Sequence, residues 1–497
     1  MLKQHGKRAE RKVIKQLTEI SPELADINLE TVTVEDAAGV RNAQVYYDAN
    51  TAARVPDGDW RKIETAITAS EFIEGVTTPL PWEPPPGEPV FFNIPRRSLL
   101  ILPGDVETLD QASYAHYAKG LRFDPEDTTL FDVMEMHRKY LGADIPKNIT
   151  PHYPLWDDQG RMTLNPYPPF YLGRQAFFQS VREFGMMWIA RNRRDLTDSV
   201  DQPEFFGVWS KLQGPDGSHQ GFVISNLPDF DQRGDVDATS TNQTYIGRML
   251  AETPKIREGM IRQVMADVEE TGGNPEMVRR FLDTDDPKQL SHFAFIAGHL
   301  GATGITNIKY GDLIAAASID HLFNWRRDLE AFAGGTTGLA RLFVDRGIVQ
   351  MQPNLGNVRF RRIREGVRSP TQCDFENTHD LWSMTYAQAV GYIAGSVKNL
   401  TAAMHSIDNQ GILNRVGPDC LGAALNGFFP EFADSRGLDE VARLVRHRRE
   451  GRTGIEYLLS LNADKPILEI EHPLISLIQD IYPLDKHEHD HERIMRQ

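Results

Sequence analysis

Apolar residues recur at steps of three and four over much of the chain and alternate with polar ones only in a few short stretches. The longest periodic run is Trp382, Tyr386, Ala389, Ile393, Val397, Leu400 and Met404, which predicts one buried helix face of about six turns. Segment 174–191 carries Phe177, Val181, Phe184 and Trp188 at helical spacing, with Arg174, Gln175, Gln179, Arg182 and Glu183 elsewhere on the wheel. That pattern predicts an amphipathic helix. Helices are also expected over 255–269, 437–449 and 473–481, and over a basic N-terminal stretch whose stripe is Val13, Leu17 and Ile20. Alternation predicts strands at 27–34 and 44–47 and a hairpin over 205–225, turned by Pro215-Asp216-Gly217. The expected fold is mainly α: a large helical domain with a short β-hairpin and a small mixed α/β N-terminal region.

Punctuation divides the chain. Pro79, Pro81, Pro84, Pro85, Pro86 and Pro89 make the strongest linker signal, because proline removes backbone donors and disfavours helix in the residue before it. Segment 1–78 is therefore read as the small mixed region, 79–89 as a linker, and 90–171 as a mixed connecting region with a helix over 129–140. Segment 172–482 is read as the helical main domain and 483–497 as a polar, disordered tail. Asp57-Gly58-Asp59 is expected to open a helix through Ile63 and Ile67.

A net charge of −16 excludes a generic nucleic-acid binder, which needs a basic surface to displace counterions. No apolar run reaches the length of a membrane span. Two cysteines, Cys373 and Cys420, are too few for a disulfide framework, so a cytoplasmic home is expected.

Candidate chemistry concentrates around residues 292–321. His292 and His299 are seven apart and share a direction if the segment is helical, and His321 follows beside Asp320. Imidazoles so placed suit a transition metal or an axial haem ligand, with His292 and His299 as metal ligands and His321 as a catalytic acid or base. Arg359-Phe360-Arg361 projects two guanidiniums from one side of a strand, which makes Arg361 a candidate clamp for a substrate acid. The glycines of Gly334-Gly335-Thr336-Thr337-Gly338 read as a loop.

The same central stretch has a second reading. After the apolar run Phe293-Ala294-Phe295-Ile296-Ala297, the glycines Gly298, Gly301 and Gly304 resemble the phosphate-cradling turn of the extended dinucleotide-binding oxidoreductases. The resemblance implies NAD(P) bound at Gly298, Gly301 and Gly304. The leading expectation is a cytosolic oxidoreductase that uses iron or haem on an apolar or aromatic small-molecule substrate. The alternatives are the dinucleotide-dependent enzyme and a non-catalytic, self-assembling helical protein. No nucleic-acid or membrane partner is expected, and a homo-oligomer is compatible with the long amphipathic helices.

Overall fold

The computed structural model describes residues 2–35, 41–52, 55–69, 92–94, 98–104, 106, 112–121, 152–166, 175–213, 219–227, 238–302, 305–351, 358–364, 367–409, 417–446 and 465–495. The expected linker 79–89, the helix over 129–140 and the turn Pro215-Asp216-Gly217 lie outside these residues.

Strands β1 (Leu29–Glu35), β2 (Arg41–Asp48), β3 (Phe92–Ile94), β4 (Ser98–Ile101), β5 (Ala115–Lys119), β8 (Gln175–Ala176), β9 (Gln202–Gln213) and β10 (His219–Leu227) form one antiparallel sheet. A separate hairpin joins β6 (His152–Trp156) to β7 (Met162–Pro166). The main sheet runs β1-β2-β9-β10-β5-β4-β3, with β8 alongside β10. This corrects the expected mainly-α fold with only a short hairpin and a small N-terminal mixed region. The hairpin of β9 and β10 is the centre of an eight-stranded sheet, and segments 1–78, 90–171 and 172–482 all contribute strands to it.

The reason is that both faces of the sheet are covered. Strands buried on two sides read as continuous apolar runs and lose the alternation that marks a half-exposed strand. Phe205 and Phe206 are consecutive and both buried. Phe205, Phe222 and Ile224 share a core with Ile63, Ala66 and Ile67 of helix α2 (Asp57–Ala69). Phe206 and Val223 face helix α3 (Phe177–Asn192), where the rings of Phe184 and Phe206 lie 4.5 Å apart. Helix α1 (Leu2–Ile20) and the 3-10 turn Pro22–Asp26 close over α3 at Gly185, where a Cβ would lie 2.9 Å from a Leu24 methyl.

The helical part begins with α4 (Ala238–Glu252), α5 (Pro254–Glu270), α6 (Pro287–Ala302) and α7 (Ile319–Asp345). It continues with α8 (Tyr386–Asn409), α9 (Cys420–Phe428), α10 (Arg436–Arg446), α11 (Pro473–Ile481) and α12 (Leu484–Met495). No helix among the described residues is long and apolar enough to cross a membrane. The periodic face is buried as expected from Ala389 to Met404, with Ile393, Val397 and Leu400 in the core and Tyr386 half-buried at its start.

Two local expectations are corrected. Gly334, Gly335 and Gly338 sit inside α7, not in a loop. Missing side chains let other elements approach: a Cβ on Gly335 would lie 2.7 Å from the Phe360 ring, and one on Gly427 of α9 would lie 2.5 Å from the Gly334 carbonyl oxygen. The 483–497 tail is ordered as α12 over Leu484–Met495. Its His487 is buried and its Nε2 donates to the Met384 carbonyl at 3.0 Å, while His491 Nδ1 donates to the Trp382 carbonyl at 2.6 Å. Short-range composition showed a polar run there; the anchoring partners are about a hundred residues away in sequence.

Between α7 and α8 lie β11 (Ile348–Gln350), the hairpin of β12 (Val358–Arg364) and β13 (Val367–Gln372), and β14 (Thr378–Asp380). β14 returns antiparallel to β11, pairing Ile348 with Asp380, so the excursion between them is closed at its base. Its hairpin rests on α7 through Phe360 and Phe332, whose rings are 4.5 Å apart.

Gly427→Ala is expected to lower stability by about 1–3 kcal/mol, because the added carbon meets backbone that must shift. Urea unfolding of the variant checks this; an unchanged midpoint would mean the α7–α9 contact is looser than described.

Candidate functional site

Strand β5 carries its side chains alternately to the two faces of the sheet, and each face receives a charged residue. Ala118 and His116 point toward α2. Lys119 points toward α3 and is buried. An ammonium in such a place needs counter-charge, since a lone buried ion costs several kcal/mol.

Three carboxylates supply it. Lys119 Nζ donates to Glu183 Oε1 and Oε2 at 3.1 and 3.2 Å and to Asp374 Oδ1 at 2.7 Å, and it stands 3.5 Å from Glu376 Oε2. Glu183 comes from the middle of α3, while Asp374 and Glu376 flank Phe375 in the segment between β13 and β14. The Gln175 amide donates to Glu183 Oε2 at 2.6 Å. Carboxylate oxygens of Glu183, Asp374 and Glu376 all lie within 4.8 Å of one another.

The acidic segment is fixed by its backbone. Gln350 Nε2 donates to the Asp374 carbonyl, Gln372 Nε2 to the Cys373 carbonyl at 2.8 Å, and Thr378 N to the Phe375 carbonyl at 3.1 Å. Phe375 is fully buried against Phe343. Asp374 itself holds a φ of 75°, in the left-handed region that aspartate tolerates better than most residues. Burial raises the Glu183 carboxyl to about 7, with Lys119 opposing the rise and Asp374 and Glu376 adding to it. Burial also pushes the Cys373 thiol up to about 12, which leaves it a poor nucleophile.

On the opposite face His116 is fully buried between two acids. Its Nδ1 is 2.6 Å from Glu204 Oε2 and its Nε2 is 3.0 Å from Asp59 Oδ2. Asp59 also accepts from Tyr114 Oη at 2.7 Å and Gly104 N at 2.6 Å, and Glu204 accepts from Asn226 Nδ2 at 3.2 Å. Burial works against the imidazolium, but Glu204 and Asp59 outweigh it and raise His116 to about 9. Asp59 is held below the usual carboxylate range: burial acts upward, and the hydrogen bonds from His116, Gly104 and Tyr114 overcome it.

The residues anticipated from sequence are placed elsewhere. His292 and His299 both belong to α6, and His292 is exposed; the His299 side chain lies outside the described residues. His321 sits in the first turn of α7, half-buried, with Nε2 donating to the Tyr245 carbonyl at 3.2 Å and its ring edge-on to Tyr245. That bond ties α7 to α4. Among the described residues, the group of three or more metal-ligating side chains is Glu183, Asp374 and Glu376, with no histidine in it.

Gly298 and Gly301 lie within α6 and not in a strand-to-helix turn, so the backbone of the dinucleotide resemblance is not formed there; Gly304 lies outside the described residues. Phe293, Ile296, Ala297 and Leu300 are buried along α6, so the apolar run is a helix face, a distinction that a short apolar run does not make by itself. Arg361 is in β12 opposite Ser369, and its side chain lies outside the described residues. Its neighbour Arg359 ion-pairs with the buried Asp201.

Sequence reasoning passed over Lys119 and Asp374 altogether and put Glu183 on a polar face. One signal was present. Asp374-Phe375-Glu376 sets two acids on either side of an aromatic just beyond Thr371-Gln372 at the end of β13. Compared with protein-family profiles, curated proteins and solved structures, the chain matches none of them.

His116→Ala is expected to cost about 3–5 kcal/mol near pH 6, since it strands two buried carboxylates. The folded value is raised above the unfolded one of about 6.5. The charged histidine therefore contributes fully below pH 6.5, and its contribution is lost as pH rises through about 9. Urea unfolding at pH 6 and pH 10 should show the gap between wild type and variant narrowing. A gap that is the same at both values would contradict the charged state.

Proposed function

We propose that this chain binds a nucleoside triphosphate together with a divalent cation, between the sheet and the Asp374–Glu376 segment, for phosphoryl transfer. The observation that carries the reading is the buried Lys119–Glu183 ion pair, at 3.1 Å, with Asp374 on the same ammonium.

The support is an arrangement of parts. In protein kinases a lysine on a strand of an antiparallel sheet holds the α- and β-phosphates and is fixed by a glutamate from a helix beside that sheet; the aspartate of an Asp-Phe-Gly segment holds the metal. Here a strand lysine, a helix glutamate and the aspartate of Asp374-Phe375-Glu376 meet at one point. The order along the chain also agrees. The lysine strand, the glutamate helix and two further strands are followed by helices, then by β11, the β12–β13 hairpin and the acidic segment.

Two differences bear on chemistry. Glu376 stands where such enzymes carry glycine, which adds a carboxylate beside the metal aspartate. The sequence linking β11 to β12, Gln352-Pro353-Asn354-Leu355-Gly356-Asn357, has no acid to take a hydroxyl proton and lies outside the described residues. The redox expectations are not carried forward, because the cluster of metal-ligating side chains among the described residues holds no histidine and Gly298 and Gly301 are helical.

Wild-type protein with Mg²⁺ and ATP or GTP at about a hundred times the dissociation constant should be stabilised by about 2.7 kcal/mol in thermal or urea unfolding. Lys119→Met should lose that stabilisation. Calorimetry showing no nucleotide binding by wild type, or equal binding by a folded Lys119→Met variant, would overturn the reading.

A further inference from the structure

We infer that the cavity between the first turn of α2 and strands β1, β2 and β9 binds a small organic cation carrying a methylated ammonium, held against aromatic rings and beside two carboxylates. The cavity is on the face of the sheet that α2 covers, opposite the face of Lys119, so the inference is independent of the proposed function.

Topology brings the rings together. β1, β2 and β9 are neighbours in the sheet, and on the face toward α2 they present Val32, Tyr47 and Phe205. Trp60 comes from the first turn of α2, where its backbone N–H donates to the Pro56 carbonyl at 3.0 Å. Phe205 is 3% exposed, and its ring centroid is 5.1 Å from that of Trp60 and 6.0 Å from that of Tyr47. The ring planes are inclined to Phe205 by 47° and 71°, so the three rings turn in different directions instead of stacking. All three line one cavity of about 400 Å³, a volume in the range of small-molecule sites.

Charge selects the ligand. An aromatic face is the negative side of a quadrupole and attracts a cation, most strongly when that cation is poorly hydrated. The charged groups at this cavity have the same sign. Glu30 is the cross-strand partner of Tyr47, and its Oε2 accepts from Tyr47 Oη at 3.1 Å, which holds the carboxylate at the edge of that ring. Asp57 opens α2. Among the described residues, no lysine, arginine or histidine lines the cavity or forms an ion pair with either acid.

The rest of the lining narrows the class of cation. Val32 and Val55 contribute aliphatic carbon. Such a surface takes methyl groups out of water favourably, whereas the N–H donors of a bare ammonium or a guanidinium would go unpaired against it. A methylated ammonium spreads its charge over carbon and needs no hydrogen-bond acceptor. The carboxylates then act across the mouth of the cavity, where Glu30 and Asp57 are exposed.

The test is calorimetric titration of the full chain with choline, and with the neutral alcohol in which carbon replaces the choline nitrogen. Choline is expected to bind at one site and the alcohol at least tenfold more weakly, because the two share a shape and differ in charge. Trp60→Leu should weaken choline about tenfold through loss of one ring face. Glu30→Gln alters an exposed side chain without touching the core and should weaken it severalfold. Urea unfolding confirms that both variants are folded. Wild type that takes up no choline, or that binds the alcohol as tightly as choline, overturns the inference, as does unchanged choline affinity in both folded variants.

Discussion

A single buried ammonium joins three parts of the molecule that are distant in sequence. Lys119 belongs to the sheet, Glu183 to the helix lying on it, and Asp374 and Glu376 to the segment that leaves the β12–β13 hairpin. Removing a charge from water is costly enough that the surrounding carboxylates are a condition of the fold, and removing one member of such a set harms more than the set itself helps. The same requirement fixes relative positions. Shifting α3 along its axis, or the acidic segment along β14, would leave the ammonium or a carboxylate unpaired.

Strand β5 carries a second charged residue on its other face, and the two networks behave differently. His116 is enclosed by two acids, one from α2 and one from β9, each of which is itself satisfied by further donors. Its hydrogen-bonding capacity is filled, which makes it a cross-link between helix and sheet. The Lys119 cluster brings three carboxylates to one ammonium, and the Gln175 amide oxygen beside it has no hydrogen-bond partner among the described residues.

The far end of α3 is held as firmly as its middle. Arg193, just after its last turn, donates to Asp380 at 2.6 Å, to Glu23 at 3.2 Å and to the Arg346 carbonyl at 2.7 Å, and it lies over the Trp382 ring at 3.8 Å. Ser21 donates to the second oxygen of Asp380 at 2.6 Å. The N-terminal segment, the glutamate helix and the strand after the acidic segment thus meet in one buried knot. Gly185 allows the N-terminal turn to approach two residues from Glu183. Leu17 and Leu24 thus pack on α3 within one turn of Glu183.

The sequence by itself determined the local elements whose pattern is short-range. The helices at Tyr386–Asn409, Phe177–Asn192 and Pro473–Ile481 follow from three-and-four spacing, and the β9–β10 pair follows from the alternation over 205–225. Tertiary structure decided what those elements were for. Glu183 counts as one polar position on an amphipathic wheel until Lys119, sixty-four residues earlier, arrives beside it. Gly298 and Gly301 have the spacing of a phosphate turn, yet the buried face of Phe293, Ile296, Ala297 and Leu300 makes their segment helical. Residue spacing reports what lies within a turn or two of the backbone. A site built from a strand, a helix and a loop through buried charge depends on contacts across hundreds of residues, and periodicity along one segment carries no trace of them.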